Sequence, residues 1–187
     1  MKLKIVSISI LTGFVVSACA TQAESPIVDS EPHLNACLTQ VMSLMEGKFD
    51  YTGVNARISG GYSTFITQST HDPRPDGSWA YTSFGGDMEA PSASIVRLVG
   101  NQIRTRPDED GASEAARTFS ECEGPNEVGR ITTRSTYELP PVESDPQTLS
   151  VDIIALYGVE GAYFSETITN ELGEIVAYRS GVSVPTE

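Results

Sequence analysis

Phe49-Asp50-Tyr51-Thr52-Gly53-Val54-Asn55-Ala56-Arg57-Ile58 decides the fold. Apolar residues fall at every second position: Phe49 and Tyr51, then Val54, Ala56 and Ile58. A period of two is that of a strand with one face buried. The phase slips by one at Gly53, which predicts a β-bulge there. Gly60-Gly61 then turns the chain back into a second strand, Tyr62 to Ser69.

The same rhythm runs to the end of the chain. His71-Asp72-Pro73-Arg74-Pro75-Asp76-Gly77 reads as a loop, and Ser78 to Phe84 as a strand carrying Trp79 and Tyr81. Ser94 to Val99, the Gly100-Asn101 turn and Gln102 to Arg106 read as a hairpin. Asp108 to Glu127 is acidic and irregular, with a helical turn suggested at Ser113 to Phe119. Val128 to Leu139, Thr148 to Tyr157, Ala162 to Thr169 and Glu174 to Val182 are further strands. About eight or nine short strands joined by tight turns indicate a mainly β protein, an antiparallel meander closed as a barrel or strongly curled.

Upstream lies the one convincing helix. Asp29 or Ser30 can cap it, Glu31-Pro32 suits its first turn, and Gly47 stops it. Leu34, Cys37, Leu38, Val41, Met42 and Met45 recur on one face, which must be buried against the strands.

Further upstream, Lys2 and Lys4 precede an apolar run from Ile5 to Val16. The run suits a signal-peptide core of roughly 7–15 residues and is too short for the ~20 that span a bilayer. Val16-Ser17-Ala18-Cys19 resembles the lipobox of bacterial lipoproteins. That resemblance implies cleavage before Cys19 and acylation of Cys19, so that the protein is held to a membrane by its lipid anchor. Ala20, where an Asp would favour inner-membrane retention, points to the outer membrane, facing the periplasm. The alternative is an ordinary secretory signal, since Ala18-Cys19-Ala20 also has the small-x-small form. The organisation expected is a lipoprotein signal peptide over 1–18, a flexible tether over 19–28 and a single β-barrel-like domain over 29–187.

Of the three cysteines, Cys37 and Cys122 remain after Cys19. In an exported protein this pair reads as a disulfide, the alternative being two buried free thiols. Neither has a second ligand at metal-binding spacing, so no metal site and no cofactor are assigned. The formal charge is −13 and becomes −15 once Lys2 and Lys4 leave with the signal peptide. That balance excludes nucleic-acid binding, which needs clustered Lys and Arg.

No catalytic residue is assigned. His33 lies in the first helical turn, and His71 opens a Pro-rich loop beside Asp72, where a catalytic base would also need a nucleophile and an orienting group nearby. Gly111-Ala112-Ser113-Glu114-Ala115 lacks the second Gly of a nucleophile elbow. Asp108, Glu109 and Asp110 fail the spacing of a calcium loop. The aromatic residues of the strands stand out instead. Tyr51, Phe65, Trp79, Tyr81 and Phe84 are candidates to line a pocket for a small apolar or planar ligand, against the alternative of plain core packing.

Leu44-Met45-Glu46-Gly47-Lys48-Phe49, followed by Gly77-Ser78-Trp79-Ala80-Tyr81, resembles the opening of the phycobiliprotein-lyase-like calycin barrels, which are lipocalin-related. The resemblance implies a barrel with an internal pocket, and for some members the handling of a bilin chromophore. The expected function is a lipid-anchored envelope protein with a non-enzymatic barrel that binds a partner. The alternatives are a carrier for a small apolar ligand and a hydrolase using acidic residues.

Overall fold

The computed structural model describes residues 32–85, 88, 90–109, 113–141 and 147–186. The leader, Cys19, the tether and the capping residues proposed for the helix lie outside them. The described residues form one helix, α1 (Pro32–Leu44), and ten strands: β1 (Gly47–Arg57), β2 (Tyr62–Pro73), β3 (Trp79–Gly85), β4 (Ser92–Val99), β5 (Gln102–Pro107), β6 (Ala115–Glu123), β7 (Ile131–Leu139), β8 (Leu149–Gly158), β9 (Gly161–Thr169) and β10 (Ile175–Thr186). Each strand pairs antiparallel with the next, and β10 pairs with β1. The meander is therefore a closed barrel with no free edge to protect.

β1 departs from the expected alternation. Its pairing with β2 and with β10 runs through Gly53 without a register shift. There is no bulge: Phe49, Tyr51 and Gly53 face inward, while Val54 faces out and is 42% exposed. Gly53 sits directly opposite Gly181 of β10. A Cβ on Gly53 would come within 2.4 Å of both Phe65 Cζ and the Ser180 carbonyl, and one on Gly181 within 2.8 Å of Phe164 Cζ. The two glycines thus make room for the Phe65 and Phe164 rings, whose centroids are 6.4 Å apart. True register shifts occur elsewhere, between Phe119 and Glu121 in β6 and between Ile175 and Ala177 in β10.

Three further readings change. β2 continues through His71 to Pro73, and His71 pairs with Tyr81 instead of opening a loop. The helical turn suggested at Ser113 to Phe119 is the start of β6, because pairing with β5 and β7 overrides the weak local preference. β7 begins at Ile131, since Asn126 Oδ1 accepts the backbone N–H groups of Val128 and Arg130 and holds that stretch in a turn.

α1 packs on β6 and β8, and its Asn35 Nδ2 donates to the Gly100 carbonyl in the β4–β5 turn at 3.1 Å. It therefore lies across the barrel end formed by those connections. Cys37, Leu38, Val41 and Met42 are its buried residues, as the apolar stripe requires. Burying a side chain such as Leu38 contributes about 1.5–3 kcal/mol. Cys37 and Cys122 are bridged, with their Cα atoms 6.0 Å apart and 85 positions apart in sequence. In the chain-entropy model a loop of that length stabilises the fold by about 4.5 kcal/mol. The bridge fastens the helix to an inward-facing position of β6.

Candidate functional site

The barrel interior contains an ion pair. Arg179 of β10 and Glu166 of β9 are direct cross-strand partners, 1% and 3% exposed. Arg179 Nε donates to Glu166 Oε2 at 2.6 Å, and Arg179 Nη2 donates to the same oxygen. Nη2 also donates to the Tyr137 hydroxyl of β7 at 3.0 Å. Burial first, and then the Glu166 carboxylate, push the Tyr137 phenol up to about 12, while Arg179 and Arg117 pull against that rise. Buried ions are tolerable only when each is paired and its remaining polar atoms are satisfied. This triad meets that condition.

A second guanidinium does not. Arg117 of β6 lies opposite the buried, inward-facing Ile103 of β5. Arg117 Nε donates to Ser135 Oγ of β7 at 2.7 Å. Its Cζ lies 4.8 Å from the centroid of the Phe119 ring, in cation–π contact. Arg117 Nη2 is covered from solvent and has no hydrogen-bond partner among the described residues. None of their ion pairs includes it.

Arg117 belongs to a wider polar lining. The hydroxyls of Ser94, Thr105 and Thr133 and the Nε2 of His71 are likewise covered and without a partner among the described residues. The register makes them neighbours. His71 pairs with Tyr81, and Tyr81 with Ser94. Thr105 is two residues from Ile103, the partner of Arg117. Ser135 and Thr133 follow on β7. Polar groups thus line the inside of six adjacent strands, β2 to β7. Each buried polar group left unmatched costs about 1–3 kcal/mol. Interior polar groups of this kind are normally matched by ordered water or by a bound molecule.

His71 is set among rings, edge-on to Tyr81 at 4.7 Å and to Phe49 at 6.0 Å. Burial pulls its imidazole down to about 4, so it is neutral near pH 7. Burial likewise raises the phenols of Tyr51 and Tyr81, the latter to about 12, with Ser69 and Ser83 beside them pulling the other way.

The residues proposed for a pocket divide. Tyr51 and Tyr81 are buried inside. Phe65 faces in over Gly53. Trp79 is half-buried near the helix, its Nε1 donating to Glu46 Oε1 at 3.3 Å. Phe84 points outward and is 48% exposed. Arg117, Glu166 and Arg179 were not singled out from sequence. Their signal was phase alone: each occupies an inward position of its strand. Glu166 is the one buried carboxylate among the described residues and is committed to Arg179. No cluster of three or more metal-ligating side chains occurs among the described residues.

No family model matches the sequence, and no curated protein matches it. Among solved structures, the chain is similar to a protein of unknown function of the DUF3598 family from Nostoc punctiforme PCC 73102. The TM-score is 0.50 at 10% identity, over 78% of this chain. This chain covers 49% of that structure, about half its length. At that identity the likeness is one of fold alone.

Proposed function

We propose that the protein is a lipid-anchored envelope protein whose barrel binds a small molecule in its interior without transforming it. One observation carries the binding part: five polar side-chain atoms on neighbouring strands, from His71, Ser94, Thr105, Arg117 and Thr133, are buried with no partner among the described residues. A barrel that only needed a core would fill those positions with apolar groups, as β8 does with Val151, Ile153 and Ala155. The polar lining favours a ligand bearing polar groups over a purely apolar one. The likeness of the Leu44 to Phe49 and Gly77 to Tyr81 segments to phycobiliprotein-lyase-like barrels supports a carrier role of the same kind.

The leader supports the anchor. Cys19 follows the apolar core where a lipobox places its cysteine, and a multiply acylated terminus holds durably to a membrane. No helix of the described residues is long and apolar enough to cross a membrane. Two measurements test the two halves. Cys19→Ser is expected to abolish palmitate labelling and release the protein from the membrane fraction; retained labelling refutes the anchor. Native mass spectrometry of protein purified from the envelope is expected to show a non-covalent adduct that is lost on denaturation.

A further inference from the structure

Resting on the small-molecule reading above, we propose that Arg117 is the anion-recognition residue of the barrel, taking the carboxylate of a small organic anion on its Nη2 beside Ser135 and Phe119. Among the described residues Glu166 and Arg179 are buried in the interior, and the half-buried Arg117 faces inward opposite Ile103. Glu166 and Arg179 cancel, which leaves the interior one unit positive inside a chain of net charge −13. A neutral occupant leaves that charge uncompensated, and a cationic one is repelled. An oxyanion compensates the charge and supplies the acceptor that Nη2 lacks.

The guanidinium is held ready for such a ligand. Ser135 fixes Nε at 2.7 Å, and the Phe119 ring, itself fully buried, supports the guanidinium. A guanidinium oriented before binding loses little freedom when it binds an oxyanion on Nη2. The unpartnered hydroxyl of Thr105, on the next strand, adds a second donor to the same wall. The buried core on the same side of the barrel carries the rings of Phe119 and Tyr137, which would suit an aromatic or otherwise flat body behind the carboxylate.

Calorimetric titration of the purified full chain with naphthoate and its uncharged analogue naphthamide tests this. Naphthoate is expected to bind the wild type at least about tenfold more tightly, the difference a charge-assisted hydrogen bond makes. Arg117→Gln is expected to erase that preference, so that naphthoate binds no more tightly than naphthamide. A preference that survives in Arg117→Gln overturns the anion assignment and leaves the barrel as a binding site. Binding of neither compound to the wild type overturns the small-molecule reading and this inference with it. A measurement on the wild type guards against a variant that fails to fold. With nitrogen-labelled arginine, naphthoate is expected to shift the side-chain signals of Arg117 and spare those of Arg179; unmoved Arg117 signals overturn the assignment.

Discussion

Two arginines point into the same barrel and are treated in opposite ways. Arg179 meets a carboxylate and a phenol, and the strands around it, β8 to β10, otherwise pack Val151, Ile153, Phe164 and Ile168 against one another. Arg117 meets a hydroxyl and a ring, on a wall where hydroxyls and an imidazole nitrogen also lack partners. The charge of the first is neutralised within the fold. The second retains a free donor that no neighbouring side chain fills. The two regions share strand geometry but differ in burial, Arg179 being 1% exposed and Arg117 half-buried. They differ too in whether the cross-strand partner is an acid.

The comparison can be broken at several points. The largest effect is expected from Glu166→Leu, which strands Arg179 in the interior and lowers the free energy of urea unfolding by about 3–5 kcal/mol. Adding Arg179→Met to it is expected to recover most of that loss. If the single and double variants are equally unstable, the pair is not what holds that region together.

A pH dependence comes next, from the unpaired wall. His71 titrates at about 4 when folded and at 6.5 when unfolded. Between those values the unfolded chain binds more protons, so stability falls as pH drops through the window and is unaffected by this group above 6.5. Relative to His71→Phe, the wild type is expected to lose about 3 kcal/mol on going from neutral pH to below the folded value. Equal pH profiles would place the imidazole in water.

Tyr137→Phe removes one acceptor from Arg179 and is expected to cost about 1.5 kcal/mol in the same assay. The smallest change is expected from Arg117→Met, within about 1 kcal/mol of wild type. It loses the Ser135 bond and the ring contact but relieves an unmatched buried donor. A loss as large as that for Glu166→Leu would make Arg117 a structural residue and end the contrast.

Much of the architecture follows from local pattern. Alternation in the strands, Gly100-Asn101 between β4 and β5, the apolar stripe of α1 and the candidate pair Cys37 and Cys122 all express short-range preferences or a small choice of partners. The errors share one cause. The rule that apolar residues point inward fails on β1, β2, β9 and β10, where Val54, Ile66, Tyr163 and Val182 face out and Gly53, Ser69, Glu166 and Arg179 face in. Read by that rule, a glycine became a bulge and Phe84 a pocket residue.

The amino-acid order by itself determined the meander, the place of the helix in the chain and the candidate pair for a bridge, because hydrophobic period, turn residues and cysteine count act over a few positions or leave few options. Only the closed barrel decided which face of each strand is inside. Closure sets the register of every strand against two neighbours at once, and a shift of one residue exchanges inside for outside. The pairing of Arg179 with Glu166, the lack of an acid beside Arg117 and the polar wall around it are consequences of that register.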